Sequence, residues 1–513
     1  MKAHEYNISS EKFVFRSTGG NLHDEKLQTK PVSYLKDALH RFSKNKASIL
    51  AFFIIALLML FALIGPLVSP YKVADEDKSY GGVLPKNELF YELGIPFWDG
   101  GTQKEVNKTT YDIYRAIQEE TGRTVIMSEP EVITEEYMGK TKELYSFRLD
   151  TYNAVGVKYV RLNTEQYLQL QKYQDEKKIQ VILPMVASRP EANQDQDNAN
   201  YWFLTKKGAG EKTQIVYDSE GNFIPNYKEA DGSDMYTSTM YWEGDTKLYN
   251  YAVEKSGGMW EIRVDYREYY IYQHYLKDDG ITSPSFIFGT TDAGKDLFTC
   301  LASGARFSLL FAILVASVNL FVGAIYGAIE GYYGGKIDLI MERIVELLAS
   351  IPFMIVITLL KYHLNASHVI ILFISFFLTG WTGMAARTRM QFYRFKNQEY
   401  VLVSRTLGAK DSRIMFRHIF PNAIGTLITG SVLVIPGVIF SETSLSYLGI
   451  INLSTGSMTS VGALLSTGQN YLFTHPHMLL FPAAFISLLM LCFNLFGNGL
   501  RDAFNPALRG TED

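Results

Sequence analysis

Cysteine is nearly absent from this 513-residue sequence, in which only Cys300 and Cys492 occur. Two cysteines this far apart form neither a disulfide framework nor the paired spacing of a zinc site, so stabilisation by either is excluded. One cysteine lies beside a long apolar run and the other lies within another run. We interpret both as small apolar packing residues.

The sequence also lacks the patterns of common enzyme sites. The polar block of residues 70–285 has no HExxH zinc pattern and no evident Ser–His–Asp arrangement. A plain acidic face explains its many carboxylates. No cleavable signal is evident, since the first long apolar run begins near residue 48 and no small-residue cleavage pattern follows it. We therefore predict no catalytic residue, metal site or bound cofactor in this chain.

One stretch comes close to a nucleotide-binding motif. "GTTDAGKD", from Gly289 to Asp296, is one letter short of a P-loop. A P-loop needs a hydroxyl after its lysine to ligate magnesium, but Asp296 follows Lys295 here. Asp292 would also place a negative charge inside the phosphate cradle. The sequence therefore predicts that no ATP binds to this stretch.

Long apolar runs without charge are what the sequence has in abundance, and a membrane-spanning helix needs about 20 such residues. Six candidate spans follow: Ile49 to Val68, Phe307 to Ile329, Leu347 to Leu360, Val369 to Ala386, Ala423 to Phe440 and Met478 to Phe496. The third is short and holds Pro352, which membrane helices tolerate when neighbours satisfy the freed carbonyl. The fold class predicted is a mainly α, polytopic membrane protein with six transmembrane helices.

Charge orients these spans. Residues 71–300 hold 26 Lys and Arg against 38 Asp and Glu, a net charge of −12, whereas the remainder has a net charge of +8. Short segments rich in Lys and Arg stay on the cytoplasmic side. Two segments are basic: "LKDALHRFSKNK" before the first span, and the link between the fourth and fifth spans, with Arg387, Arg389, Arg394, Lys396, Arg405, Lys410, Arg413 and Arg417. Six spans put both on one side, which predicts cytoplasmic termini and an external acidic block.

The chain then divides into four parts: a cytoplasmic tail with an amphipathic helix, residues 1–46; the first span, 47–69; an external domain, 70–285; and a core with five further spans, 286–510. In the first part, the apolar residues at helical spacing are Val32, Leu35, Leu39 and Phe42, with cations between them. This pattern is typical of a basic helix lying in the membrane interface. A solvated helix that leads into the span is the alternative.

The external block mixes helix and strand patterns. "YDIYRAIQEETG" predicts a helix ending at Gly122, followed by a strand-like "RTVIM", and "NTEQYLQLQKYQDEKK" predicts a helix capped by Asn163 or Thr164, followed by a buried strand "IQVILPMV". "TQIVYDSEGNFIPNY" predicts two strands that turn at Gly221. We predict an α+β domain. Its many Tyr and Trp residues either form a core or line a peptide or glycan surface.

Residues 397–422, "NQEYVLVSRTLGAKDSRIMFRHIFPN", predict two short helices joined at Gly408. Gly408 can take the left-handed conformation that ends a helix, and Asp411 can complement the free N–H groups of the next helix. Pro421 disfavours helix in the residue before it, so the second helix should end there. We call residues 397–422 the knuckle. Its length suits docking into another protein, and binding of anionic lipid through its arginines is the alternative.

The knuckle resembles the EAA loop of ABC importer permeases, most closely that of the C-type subunit of dipeptide and oligopeptide permeases. That loop commonly reads "EYVxAARxLGAxxxRIxxRHILPN". This sequence departs from the pattern at Val403, Ser404 and Phe420. It matches at Glu399, Tyr400, Val401, Arg405, Leu407, Gly408, Ala409, Arg413, Ile414, Arg417, His418, Ile419, Pro421 and Asn422.

The resemblance extends over residues 31–72 and 286–508. "FGTTDAGKDLFTCLASGARFSL" is similar to the family's external element "GTDxxGRDxxSRxxxGARxSL", and "SETSLSYLGI" and "CFNLFGNGLRDAFNP" continue the match. The external family element comprises Gly289, Asp292, Gly294, Lys295, Asp296 and Arg306. Asp296 and Arg306 are expected to be structural. The block between, about 73–285, has no counterpart and is interpreted as an insertion.

The resemblance implies a type I ABC importer permease fold and half of a pore for oligopeptides or dipeptides. It also implies a homologous B-type permease subunit, two ATPase subunits that hold ATP and Mg, and an extracellular or periplasmic peptide-binding protein, in a bacterial plasma membrane and without nucleic acid. The residues implied to couple to an ATPase are Glu399, Tyr400, Arg405, Gly408, Ala409, Arg413, Arg417, Pro421 and Asn422. The alternatives are a membrane-anchored external enzyme and a ligand-sensing receptor built on the inserted domain.

Overall fold

The computed structural model describes residues 34–95, 98–137, 140–187, 198–207, 213–228, 233–235, 241–243, 246–248, 251–454 and 456–504. Over these residues the chain is mainly α-helical, and its strands all lie between residues 101 and 265. A bundle of long apolar helices and a smaller α+β block therefore share one chain.

Among the described residues, two α-helices precede the block and eleven follow it. Their bounds are α1 Tyr34–Lys44, α2 Lys46–Val68, α7 Leu297–Tyr333, α8 Gly335–Ala349, α9 Phe353–His363, α10 His368–Gly380, α11 Thr382–Phe395, α12 Glu399–Thr406, α13 Asp411–Arg413, α14 Phe420–Val432, α15 Val434–Tyr447, α16 Val461–Gln469 and α17 His477–Ala503. Five stretches are long and apolar enough to cross a membrane: Lys46–Val68, Leu297–Tyr333, His368–Phe395, Asp411–Tyr447 and His477–Ala503. Each contains one predicted span, so five of the six predictions are confirmed.

The third predicted span is not one straight helix. In its place α8 and α9 meet at an angle of 73°. Pro352 stands at the break as the cap of α9. Its ring disfavours helical geometry in the residue before it, so α8 ends and a new helix starts. Taken as one broken span, this pair brings the number of spans to six.

Helix α7 packs closely against α11 because of a stripe of glycines. A Cβ atom on Gly327 would lie 2.1 Å from the Ala385 carbonyl oxygen, and Gly323 and Gly331 are similarly crowded by α11. Small residues at every fourth position let two helix backbones approach. At the other end of the sequence, α1 packs on α17, where Phe42 contacts Phe496 edge to face at 5.5 Å. Val32 lies outside the described residues.

The block contains two larger antiparallel sheets and three short hairpins. In the first sheet β3 Lys140–Asp150 lies between β1 Gly101–Val106 and β2 Glu131–Tyr137. In the second sheet β13 Met259–Asp265 pairs with β4 Val157–Asn163, β12 Val253–Lys255 and β5 Ile182–Leu183. The hairpins are β6 Thr205–Lys207 with β7 Thr213–Ile215, β8 Tyr227–Lys228 with β9 Asp234–Met235, and β10 Tyr241–Glu243 with β11 Thr246–Leu248. The helices are α3 Glu88–Glu92, α4 Lys108–Thr121, α5 Thr164–Lys177 and α6 Tyr266–Lys277.

The predicted helices of the block are confirmed, but its strands are shorter than predicted. Helix α4 ends at Gly122, which has a φ of 65°, and Asn163 caps α5 with a complete capping box. The predicted strand "RTVIM" is wrong, because this segment makes only a single bridge, between Ile126 and Leu149. The strand predicted in "IQVILPMV" is reduced to two residues, since Pro184 follows and cannot donate to a sheet.

Aromatic side chains form much of the core of the block. Trp202 stacks on Tyr227 at 6.0 Å, and its indole N–H donates to the Ala116 carbonyl at 3.1 Å. The fully buried Arg263 donates to Glu120 at 2.6 Å beside them. For these rings, core packing rather than a ligand surface is the role that the structure shows.

Candidate functional site

The knuckle folds as its sequence predicts around Gly408. Helix α12 ends before it, and Gly408 has a φ of 79°. The Gly408 N–H donates to the Arg405 carbonyl at 3.0 Å, and the Ala409 N–H donates to the Ser404 carbonyl at 3.1 Å. These bonds satisfy carbonyls at the helix end and reverse the chain. A Cβ atom at Gly408 would meet nothing within 4 Å, so only its backbone angle calls for glycine here.

The prediction that the second helix ends before Pro421 is wrong. From Asp411 the chain passes through a π-helical turn, Ile414–Ile419, and continues as α14 without a break. Proline lacks an N–H, and its ring clashes with the carbonyl four residues earlier in an α-helix. A π-helical turn widens the backbone at that place, so the helix absorbs Pro421. The knuckle therefore joins directly onto a membrane span.

The inner side of the knuckle is anchored to helix α7. Val401, Ile414 and Ile419 are fully buried in one apolar cluster with Tyr332 at the end of α7. The Tyr332 hydroxyl donates to Asp411 at 2.6 Å. These contacts tie both arms of the knuckle to the end of α7.

The outer side of the knuckle is apolar and basic. Leu407 is 81% exposed and Val403 is 56% exposed, although both are apolar. Arg413 and Arg417 are exposed on the second arm. An exposed apolar patch rimmed by charge is typical of a protein interaction site.

The residues predicted to couple to an ATPase fall into three groups around Gly408. Arg405 and Ala409 lie near the anchor, where the Arg405 guanidinium is 5.6 Å from the Tyr332 ring centre and Ala409 packs against the buried cluster. Tyr400 and Asn422 meet across the knuckle, because the Asn422 amide donates to the Tyr400 hydroxyl at 3.3 Å. Glu399 and Pro421 are exposed on the same surface as Arg413 and Arg417.

A charged cluster beside the knuckle was not predicted from the sequence. Arg389 of α11 donates to both oxygens of Asp338 in α8, at 2.6 and 3.0 Å. Its guanidinium also lies 3.3 Å from Glu330 of α7 and 3.5 Å from Glu342. The cluster thus links three helices. Arg389 counted in the sequence only as one of many cations, and no local pattern joins it to carboxylates about 50 residues away.

The near-P-loop is not a phosphate cradle, because its backbone groups pair with the chain itself. The Thr291 N–H donates to Lys295 and the Gly294 N–H donates to Thr291, both at 2.9 Å. Thr290 and the segment after α2 also pair, through a bond from the Thr290 N–H to the Val83 carbonyl at 3.0 Å. We call this junction of residues 77–86 with 286–296 the clamp.

Both glycines of the predicted external element are required by the clamp. A Cβ atom on Gly294 would lie 1.7 Å from the Asp77 carbonyl oxygen, and one on Gly289 would lie 2.5 Å from the Val83 carbonyl oxygen. Both also have a positive φ, of 76° and 74°. The strict need for glycine therefore comes from close packing of the clamp.

The charged residues of this element have structural surroundings. Asp296 caps α7, accepting the Thr299 N–H at 2.9 Å, and burial raises the pKa of its carboxyl while bonds from Thr299 act in the opposite direction. Asp292 accepts a bond from Tyr471 at 3.4 Å, and Lys295 donates to the Gly456 carbonyl at 3.4 Å. Arg306 is half-buried in α7, and no hydrogen bond to it is found among the described residues. A structural role for Asp296 agrees with this geometry.

One further carboxyl is buried within the bundle. Glu442 of α15 is 1% exposed and accepts hydrogen bonds from Ser308 at 2.8 Å and Ser446 at 3.2 Å. A buried carboxyl group needs such partners. In the part of the chain that the structure describes, no group of three or more His, Cys, Asp and Glu side chains is arranged to hold a metal ion.

The bundle of apolar spans with an anchored helical knuckle defines a multi-pass membrane protein. Residues 319–510 match the family model of the binding-protein-dependent transport system inner membrane component, and residues 33–82 match the N-terminal TM domain of oligopeptide transport permease C. The chain belongs to this family of ABC importer permeases, in its oligopeptide and dipeptide permease C branch.

Relatives with curated names support this assignment. The oligopeptide transport system permease protein OppC of Bacillus subtilis (strain 168) is 42% identical over 234 residues, which cover 46% of this chain and 76% of that protein. The dipeptide transport system permease protein DppC of the same organism is 41% identical over 43% of this chain and 69% of its own length. A solved inward-facing structure of the MetNI methionine ABC transporter covers 40% of this chain and 96% of its own chain, with 14% identity and a TM-score of 0.33.

Proposed function

We propose that this chain forms half of the translocation pore of an ATP-driven importer for oligopeptides or dipeptides. The relatives at about 40% identity are permease proteins of oligopeptide and dipeptide transport systems. This family membership favours transport over an external enzyme or a ligand-sensing receptor. The single observation that carries the mechanism is the anchored knuckle, which presents exposed apolar residues and joins directly onto the span that contains α14.

Energy for transport would enter through the knuckle. ATP and Mg would be held by two partner ATPase subunits, and Leu407 and Val403 would seat in a groove on one of them. When the ATPases close around ATP, the bond of Tyr332 to Asp411 and the buried cluster around it would carry the movement into α7 and α14. Such coupling between two sites is worth about 1–3 kcal/mol in allosteric proteins.

The other partners follow from the same proposal. A homologous B-type permease subunit would supply the second half of the pore, and an extracellular or periplasmic binding protein would deliver the peptide. The chain would lie in a bacterial plasma membrane with both termini in the cytoplasm, since the basic segments before the first span and in the knuckle belong on that side. The clamp and the inserted block would then face outwards.

The inserted block would contact the binding protein or the peptide entrance. It emerges between the first two spans and is held against them by the clamp. The Lys86 N–H donates to the Phe286 carbonyl at 2.9 Å, so the two ends of the block are adjacent. A short glycine linker can therefore replace residues 88–284 and still span the gap between the two ends. We expect loss of binding-protein docking, and unchanged docking and uptake in this variant would contradict the role.

Reconstitution with its partners tests the main proposal. The full chain is purified with the candidate permease and ATPase subunits and reconstituted into liposomes. The binding protein and labelled peptide are added outside the liposomes. We expect ATP-dependent peptide accumulation and co-purification of two ATPase subunits. Leu407→Glu should abolish both, whereas Leu168→Glu, a control at a 56% exposed leucine of the block, should leave co-purification of the ATPase subunits unchanged. Co-purification of no ATPase with the unaltered chain would refute the proposal.

A further inference from the structure

A small amphipathic element projects from the base of the inserted block. Residues 87–95 with Trp98 form it, and we call it the α3 wedge. The Asn87 N–H donates to the Trp98 carbonyl at 2.7 Å and closes its base. Leu89 and Leu93 lie four residues apart on one side of the wedge, and Glu88 and Glu92 alternate with them.

The apolar side of the wedge is uncovered. Leu93 is 64% exposed, Leu89 is 60% exposed and Ile95 is 39% exposed. Three adjacent aliphatic side chains in this state cost free energy in water, at about 25 cal/mol per Å² of apolar surface. Three exposed aliphatic side chains within seven residues therefore favour a contact surface here.

Aromatic stacking places the wedge beside the outer end of a membrane span. Trp98 stacks on Phe481 at a ring distance of 5.9 Å, and Phe481 is the fifth residue of α17. Phe288 stacks on the same ring at 4.3 Å. The Trp98 indole N–H also donates to the Ile287 carbonyl. Tryptophan with an apolar body and a bonded N–H is typical of the membrane–water interface.

The wedge also lies beside the end of the first span. A cavity of about 470 Å³ is lined on one side by Val68 at the end of α2 and on the other by Asn87 and Glu88 at the start of the wedge. Leu67 and Val68 are 77% and 73% exposed, as expected for side chains that face lipid. The last turn of α2 and the start of the wedge therefore border the same cavity.

The negative charges of the wedge exclude electrostatic attraction to acidic lipid headgroups. Glu88 and Glu92 are the exposed charges of the wedge. The nearest cation, Lys86, lies 3.8 Å from Asp150 and 3.9 Å from the Tyr91 ring centre, so it is already engaged. Apolar insertion is the interaction that remains.

We propose that the α3 wedge inserts its apolar side into the outer leaflet of the membrane and fixes the inserted block on the bilayer surface. The side chains of Leu89, Leu93 and Ile95 enter the acyl boundary, about 5–10 Å below the headgroups as in other interfacial helices. Glu88 and Glu92 stay in water. The bilayer thus becomes a second support for the block, in addition to the clamp.

Spin labels on single cysteines test this in the full chain. The native thiols of Cys300 and Cys492 are 2% and 1% exposed, so the unaltered chain serves as the control for background labelling. Leu93→Cys carries the probe, Leu89→Cys provides a second probe should the first variant misfold, and Leu168→Cys on α5 is the matched exposed position. Helix α5 packs on β4 and β13 of the block.

The labelled chains are placed in vesicles of phosphatidylcholine, and collisions with oxygen and with a water-soluble nickel complex are compared. We expect a ratio of oxygen to nickel collisions several-fold higher at position 93 than at position 168. Adding phosphatidylglycerol should leave that ratio unchanged, since the insertion is apolar. Equal ratios at the two positions would overturn the proposal. A label at position 93 that is shielded from the nickel complex only when the peptide-binding protein is added would also overturn it, because the wedge would then be a protein docking surface.

Discussion

The backbone angle of Gly408 is the feature of the knuckle that substitution can test most sharply. Its φ of 79° is the left-handed conformation, and no atom lies within 4 Å of an added Cβ. Steric crowding is therefore removed from the comparison. Alanine at position 408 destabilises the turn only by the cost of the left-handed conformation, about 1–2 kcal/mol. Asparagine destabilises it less, because its side chain can form local hydrogen bonds in this conformation.

Proline at position 408 has a larger effect, because its ring holds φ near −65°. The turn must then open. At least two backbone bonds are lost, from the N–H groups of Gly408 and Ala409, each worth about 0.5–1.5 kcal/mol. With the misplaced buried residues of the two arms added, we expect a cost of about 3 kcal/mol or more, which is about a hundredfold in the population of the native turn.

The expected order of peptide uptake is wild type, Gly408→Asn, Gly408→Ala and then Gly408→Pro, the last near background. Uptake and ATP hydrolysis are measured in the reconstituted complex, and amide hydrogen exchange over residues 399–419 reports the turn directly. Chain insertion should be equal in all variants. Normal peptide uptake by Gly408→Pro would refute the reasoning. So would a Gly408→Asn variant that loses as much uptake as Gly408→Pro while its amide hydrogen exchange over residues 399–419 stays at the wild-type level.

Three further substitutions follow from the contacts. Gly294→Ala adds a steric clash to a similar backbone cost, so we expect a much larger fall in the thermal midpoint than for Gly408→Ala, and equal midpoints would contradict the clamp. Glu120→Gln leaves Arg263 as an uncompensated buried charge, which costs about 3–5 kcal/mol; limited proteolysis should show a destabilised block, and wild-type resistance would argue against the buried pair. Tyr332→Phe removes the bond to Asp411, so we expect ATP hydrolysis to continue with less uptake per ATP, whereas an unchanged ratio would show that this bond does not transmit movement.

The sequence specifies those features of the protein that depend on a few neighbouring residues. Apolar run length predicts five of the spans, and a period of 3.6 predicts α4 and α5 in the block. Gly408 was predicted because a left-handed residue at the end of a helix is a local requirement. Pro352 and Pro421 both mark departures from a regular α-helix. Proline alone does not determine whether the helix breaks, as it does at Pro352, or widens into a π-helical turn, as it does before Pro421.

What only the tertiary structure decides is which distant residues meet. The sequence excludes a phosphate loop around Gly294, but only the fold places the Asp77 carbonyl beside this glycine, 217 positions earlier in the chain. Arg389 becomes the centre of a three-helix cluster, and Trp98 is placed against Phe481, through packing that no local pattern encodes. The physical reason is that hydrophobic periodicity and backbone angles are properties of short segments, whereas close approach and charge pairing arise only when the helices and the block have packed.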